Sequence, residues 1–396
     1  MKTSSFYKMR IPVEELLKNP NARLIRDVLS QTGATVLIPS KIPIGKITEG
    51  LDNPNRMIES LRRMGVRNVD IEIPNEINDS EVLERLIELD SSISVIDSEV
   101  AAHVQSAVDD IYSSVTLDQK YTIPKNEVEG LGKALANELH NVSQIAISLI
   151  SSNDDKYTQS HAVNVSLLAG YIAKKLVEKK AAPAALIDKT VLSGLLFDVG
   201  KTRIPGEILR KRDALTPKEM EVMKNHIGYG VSICKEAGIT DKEILEGIAT
   251  HHERYDGSGY MRGMVGNQIP LIGRILAVAD TFDAMTSPRV YKNAVSSKLA
   301  FNFIMSANET AFDPDICKIF IADIGVYPPG STVKLSDGRI ATVAAMTQGN
   351  LLQPKVTIIQ DGRAEIVDLA KEKLFIKGSL DVEPTDEPDL VAPLAL

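Results

Sequence analysis

Phe197-Asp198-Val199-Gly200-Lys201 and His251-His252-Glu253-Arg254-Tyr255-Asp256-Gly257-Ser258-Gly259-Tyr260 are the two stretches on which the reading of this chain turns. Adjacent residues of a helix point about 100° apart, so His251 and His252 reach one site only from a helix end or from a cleft between helices. The run then breaks into Asp256-Gly257-Ser258-Gly259, a turn beside that site. Asp198 closes the apolar run Val191-Leu192-Ser193-Gly194-Leu195-Leu196-Phe197, where a carboxylate is costly to bury unless something positive meets it. Lys201 follows one turn later and can face the same pocket.

Two more of the six histidines, His161 and His226, fall in the same helical region, whereas His103 and His140 suggest no ligand role. Asp280 ends a second apolar run, Ile275-Leu276-Ala277-Val278-Ala279-Asp280. Either aspartate alone reads equally well as a helix-end or paired carboxylate. Four histidines and two such carboxylates in one helical region favour a metal. Imidazole plus carboxylate suits Fe, Mn or Zn rather than Ca or Mg. A bridging carboxylate would hold two ions and lower the pKa of a water between them, giving a hydroxide able to attack phosphorus. Arg289 and Lys292, a few residues beyond Asp280, read either as phosphate binders or as solvated charges.

The 396 residues predict two or three domains. Apolar content of 43% and charged content of 25% are those of a soluble globular protein. A net charge of −8 argues against duplex nucleic acid as a partner. No apolar run is long enough to span a bilayer, the N-terminal residues lack the apolar core of a secretion signal, and Cys234 and Cys317 form no framework, so a cytoplasmic protein is expected.

The fold expected is mainly α. A helical domain over 126–325 is flanked by a small N-terminal α/β module (1–78), linker and entry helices (79–125), a small β extension (326–378) and a disordered acidic, proline-containing tail (379–396). Ala34 to Pro39 and Val69 to Pro74 read as strands, and Asn55 to Arg63 as a helix closed by Gly65. Thr216-Pro217-Lys218-Glu219 reads as a capping box opening a helix, with Gly238 as a stop. Thr240-Asp241-Lys242-Glu243 reads as another, its helix running to about His252. Pro270 opens a helix to Met285. Ser331 to Leu335 and Arg339 to Val343 flank a hairpin turn at Ser336-Asp337-Gly338, with further strands at Lys355 to Ile359 and Leu374 to Ile376.

Residues from about 100 to 325 resemble the HD-GYP domain, a branch of the HD phosphohydrolase superfamily. The resemblance rests on Lys156 through His161, Leu195 through Lys201, Glu219 through His226, His251 through Tyr260, Ala277 through Thr286, and Arg289, Tyr291 and Lys292. It implies a metal-dependent phosphodiesterase that hydrolyses the bacterial messenger cyclic di-GMP to pGpG and GMP, with Fe or Mn as the ion and Zn as an alternative. Carried over by position, His161, Asp198, His226, His251, His252 and Asp280 are metal ligands and Asp198 bridges. Lys201 contacts the scissile phosphate or aids the leaving group. Asp283, Arg289 and Lys292 hold the nucleotide, and Gly259 and Tyr260 belong to a signature loop implicated in contacts with diguanylate cyclase domains. The helical patterns of 80–125 suggest a homodimer.

Two residues depart from the family pattern. Phe197 stands where the histidine of the His-Asp pair is expected, and Met261 where the proline of Gly-Tyr-Pro is expected. Proline would only stiffen the loop, but phenylalanine cannot ligate. Tyr157 is no carboxylate either, so a third ion is not expected. The expectation is two ions if the site is intact and one if Phe197 disables it. In the second case the protein is a catalytically impaired module that binds nucleotide or a partner protein.

Overall fold

The computed structural model describes residues 6–18, 22–29, 36–49, 51, 53–74, 96–117, 121–142, 157–211, 213–287, 295–347, 350–360 and 363–379. The architecture is mainly α, with small sheets towards both ends of the chain. The described residues group into two compact units. One carries the residues up to Pro74 with 330–344 and 352–379; the other carries 96–329 and 345–351.

In the first unit, β1 (Phe6–Pro12) and β2 (Arg23–Leu24) each pair antiparallel with β5 (Asn68–Pro74), giving the order β1-β5-β2. β3 (Val28–Leu29) and β4 (Val36–Ile38) form a separate antiparallel pair. A short helix α1 (Ile44–Thr48) precedes α2 (Pro54–Arg63). Helix α2 starts where Asn53 accepts from the Asn55 amide and Pro54 takes a position that needs no donor. It stops at Gly65, whose φ of +85° lets its own amide and that of Val66 turn back to Arg62 and Leu61. Leu16, Leu24, Ile38, Ile44, Leu61 and Ile71 form the core. The strand ended by Pro74 and the helix before Gly65 match the sequence reading.

The second unit is built of helices. α3 (Ser98–Leu117) buries Val104, Val108 and Ile111, at helical spacing. Residues 80–95, where helical spacing also continues, lie outside the described residues. α4 (Lys125–Asn141) follows, and its C-terminal carbonyls at Leu139 and His140 accept from the Lys174 ammonium at 2.8 and 3.2 Å. Lys174 belongs to α5 (Tyr157–Glu178), the central helix, which packs against α6 (Leu186–Leu196). Gly194 makes that approach close: a Cβ there would lie 2.5 Å from the Ser166 Cα. α3 is tied to the end of α6 by the buried Tyr112 hydroxyl, which donates to the Leu195 carbonyl at 2.9 Å.

A short α7 (Gly206–Leu209) leads to α8 (Pro217–Lys224), opened by the expected capping box, in which Thr216 and Glu219 satisfy each other's backbone amides. The helix does not run to Gly238. It is interrupted at Asn225, and α9 (His226–Glu236) begins anew. Asn225 keeps right-handed helical angles (φ −65°, ψ −15°), so no proline or glycine marks the break. α10 (Lys242–Thr250) is capped by Asp241, not Thr240, and ends at Thr250 with His251 as its C-cap. α11 (Leu271–Thr286) starts after Pro270, as read. α12 (Ser297–Ser306) and α13 (Pro314–Ile324) complete the unit, the latter capped by Asp313.

The C-terminal sheet has five strands in the order β10-β6-β7-β8-β9. β6 (Thr332–Leu335) and β7 (Ile340–Thr347) form the expected hairpin, with Gly338 at φ +94° in its turn. β8 (Asn350–Gln360) pairs with β9 (Arg363–Asp368), a charged strand that the sequence reading misses. The last strand, β10, is Ile376–Ser379 and not Leu374 to Ile376, because the Leu374 amide closes a turn on the Leu369 carbonyl. The acidic tail lies outside the described residues. Among those described, no helix is long and apolar enough to cross a membrane.

Replacing Tyr112 by phenylalanine strands the Leu195 carbonyl and costs about 1 to 3 kcal/mol. The expected result is a lower thermal unfolding midpoint. An unchanged midpoint would show that the α3–α6 tie contributes nothing.

Candidate metal centre

Each functional side chain is delivered by a helix end or by one turn of a helix face. Phe197 still has helical angles at the end of α6; Asp198 then turns (φ −103°, ψ 2°) into the 3-10 turn Val199–Arg203. That turn brings the Lys201 ammonium to 2.7 Å from Asp198 Oδ2. It also rests directly on the start of α9: a Cβ on Gly200 would lie 1.9 Å from the His226 carbonyl oxygen and 2.4 Å from the Gly230 amide. The break at Asn225 places His226 on the first turn of α9, and the end of α10 supplies His251 and His252.

His226, His251 and His252 are buried, and one ligand atom from each lies within 4.8 Å of the others. The tautomers follow from the neighbours. His226 Nδ1 donates to the Met223 carbonyl at 2.7 Å and His251 Nδ1 to the Ile248 carbonyl at 2.8 Å. Their Nε2 lone pairs therefore face each other, 3.5 Å apart. Both ring nitrogens of His252 and Asp198 Oδ1 are buried without a hydrogen-bond partner, and Asp198 Oδ1 lies 3.7 Å from His226 Nε2. Converging lone pairs and orphaned buried acceptors are an arrangement that a cation resolves. The donor set fits one divalent transition ion.

The electrostatics agree with that state. Burial pushes the His226 imidazole down to about 4, against the pull of Asp198. Burial likewise holds His251 below the ordinary histidine value and His252 well below it. All three are neutral near pH 7, as ligands must be. Burial alone would raise the Asp198 carboxyl, but the charges of Lys201 and of His161 oppose it and hold the group below its ordinary value.

The other expected ligands are arranged differently. His161 on α5 sits between two carboxylates of α11: its Nε2 is 2.9 Å from Asp280 Oδ1 and its Nδ1 is 2.6 Å from Asp283 Oδ2. Asn164, one turn on from His161, donates to Asp283 Oδ1 at 3.0 Å. Two pairs at i, i+3 spacing thus interlock, His161 and Asn164 against Asp280 and Asp283. Burial opposes the charged imidazole, but the two carboxylate contacts outweigh it and raise His161 to about 9. Asp283, expected at the nucleotide, is buried with both oxygens engaged. Phe197 is fully buried, its ring edge-on to His161 (centroids 5.5 Å apart) and to His251 (5.0 Å).

Tyr260 stacks on the His252 ring at 4.8 Å with a 22° tilt, and the Lys224 ammonium lies 4.8 Å from the centroid of the Tyr260 ring. Arg289 and Lys292 lie outside the described residues. Sequence reasoning misses Lys224, Asn164 and Glu253. The buried Glu253 accepts from the Arg262 and Met264 amides at 2.7 and 3.0 Å and so shapes the loop that carries Tyr260. The i, i+3 spacing of Asn164 from His161, matching that of Asp280 and Asp283, was the available signal for Asn164. Glu253 and Lys224 carried none.

Residues 144–316 match the model of the HD domain family. Similar proteins include a cyclic di-GMP phosphodiesterase of Pseudomonas aeruginosa, 33% identical over 212 residues, covering 54% of this chain and 50% of the relative. A cyclic di-GMP phosphodiesterase of Thermotoga maritima is 38% identical over 176 residues, 44% of this chain and 47% of the relative. A 3'3'-cGAMP-specific phosphodiesterase of Vibrio cholerae is 37% identical over 127 residues, 32% of this chain and 24% of the relative. The chain spans about half the length of the first two. These matches show that residues 144–316 are similar to an HD domain.

Two outcomes are expected. Gly200→Ala forces the Asp198 turn away from His226, so it should lower both metal content and the unfolding midpoint; unchanged metal content would sever that link. The second concerns the chelator-treated chain. The unfolded histidines protonate near pH 6.5, whereas folded His226 resists protonation until about 4. Stability therefore falls as pH drops through that window. His161 acts oppositely: its contribution is complete below about 6.5 and is lost as pH rises towards about 9. Scanning calorimetry across pH 4 to 9 should show both limbs, with His226→Gln flattening the acid one. Because His251 and His252 are depressed as well, part of the acid limb remains; a limb as steep as that of the wild type after this change would contradict the assignment.

Proposed function

We propose that this chain is a metal-dependent phosphodiesterase that hydrolyses cyclic di-GMP to pGpG and GMP, in the cytoplasm of a bacterium. The observation that carries the reading is the convergence of His226, His251 and His252 on one another, with the buried Asp198 Oδ1 3.7 Å from His226 Nε2 and Lys201 bound to Oδ2. The names of the relatives give the substrate class. His226, His251, His252 and Asp198 would hold the ion, Fe or Mn in preference to Zn; His161 and Asp280 complete the set if a second ion is held. When bound, such an ion supplies a hydroxide at neutral pH and withdraws charge from phosphate oxygen.

The chain's own residues do the rest. Asp198 holds Lys201 at the rim of the site, where the ammonium can neutralise charge on the phosphate and stabilise the departing oxygen. Tyr260 walls one side of His252 and, with Arg289 and Lys292, is assigned to the nucleotide; Asp283 holds His161. The catalytic domain is taken as 126–325, with the module of 1–78, the helices of 79–125 and the β extension of 326–378 as its appendages. Diguanylate cyclase domains and a second copy of the chain are the proposed macromolecular partners.

A second reading is favoured by Phe197. Its buried ring stands beside His161 and His251 in place of an imidazole. On this reading the domain binds cyclic dinucleotide or a partner protein and turns substrate over slowly or not at all.

Hydrolysis of cyclic di-GMP and of 3'3'-cGAMP by the Mn-loaded chain separates these readings. Turnover of cyclic di-GMP that falls by about 100-fold or more in Asp198→Ala supports the enzyme. Tight nucleotide binding with no turnover supports the binding module. Preference for 3'3'-cGAMP would replace the substrate assignment.

A further inference from the structure

We infer that this domain is built to hold one metal ion, and that the chain itself fills the place of a second with the Phe197 ring and the clasp of His161 between Asp280 and Asp283. The inference rests on the metal reading proposed above and specifies what lies on each side of Asp198.

On one side every donor points inward with nothing to meet it. The Nε2 atoms of His226 and His251 are 3.5 Å apart with their Nδ1 atoms engaged elsewhere, and His252 has neither ring nitrogen satisfied. On the other side the ligand chemistry is already consumed. Both ring nitrogens of His161 are within hydrogen-bond distance of carboxylate oxygens, and Asp283 is further held by Asn164 and by the Ser287 hydroxyl at 3.1 Å. An ion at His161 would have to displace Asp280 Oδ1 from it. The lining there is also wrong. Phe197 offers carbon where a two-ion centre needs a nitrogen, and its ring, with no accessible surface, is wedged edge-on between His161 and His251.

The clasp gives this side a structural purpose that does not need an ion. Residues 161 and 164 of α5 engage residues 280 and 283 of α11, so the two helices are pinned at the level of the site. A buried carboxylate pair that a second ion would otherwise neutralise is met by an imidazole from the chain. The loss of a ligand at Phe197 is therefore compensated within the fold.

The test uses the full chain loaded with Mn(II), freed of excess ion, and assayed by elemental analysis and electron paramagnetic resonance. The wild type should hold one Mn per chain with the six-line signal of an isolated ion. His252→Ala should lose it, and Asp280→Asn should keep it. Phe197→His should gain a second ion and the altered signal of an exchange-coupled pair. Two ions in the wild type, loss of the ion in Asp280→Asn, or a folded Phe197→His that still holds one would overturn the inference. If Phe197→His does not fold, the wild-type and Asp280→Asn counts decide alone. No ion in the wild type would instead remove the metal reading on which the proposed function stands, and hydrolysis of cyclic di-GMP is measured separately on the same preparations.

Discussion

Three imidazoles buried together with their lone pairs converging are the constraint on which the helical unit depends. Neutral histidines do not attract one another, and burial opposes protonating them. Their proximity is imposed by the backbone: α9 begins at His226, α10 ends just before His251, and the Asp198 turn is pressed onto α9 at Gly200. The Nδ1 contacts to Met223 and Ile248 set the tautomers, so the free nitrogens face inward. A cation would answer such an array, which links the local packing of three helix ends to a chemical capacity.

The site is asymmetric, and Asp198 is its divide. Its Oδ2 is met by Lys201, and its Oδ1 is left facing the histidines. Beyond it, Phe197 and the His161 clasp form a side that is internally satisfied. Polar groups that answer each other hold α5 to α11; polar groups that do not are left for a ligand. The same helix end thus contributes a residue to each behaviour, Phe197 to the closed side and Asp198 to the open one.

Much of this was legible in the sequence, for identifiable reasons. Asp198 and Asp280 stand out because each meets an apolar run, the four histidines because they group in one helical region with His251 and His252 adjacent, and the helix starts at Pro217 and Pro270 carry explicit capping or proline signals. The break at Asn225 was not legible, since its angles stay helical and no breaker residue marks it. Nor was β9, where the alternation of Arg363, Ala364, Glu365 and Ile366 is short and breaks at Val367. The placement of Asp283 against His161 depends on the phase of α11 relative to α5, a tertiary property that periodicity within either helix does not contain. Arg289 and Lys292 lie outside the described residues, so their part in the site rests on the sequence reading.

An ion held by His226, His251 and His252, with none at His161, has its own spectroscopic signature. X-ray absorption spectroscopy of the Mn- or Fe-loaded chain tests that arrangement most directly. The predicted spectrum has an imidazole-rich first shell from His226, His251 and His252 and no metal–metal scattering. A metal–metal vector at about 3.5 to 4 Å, the separation of two-ion hydrolytic centres, would contradict it.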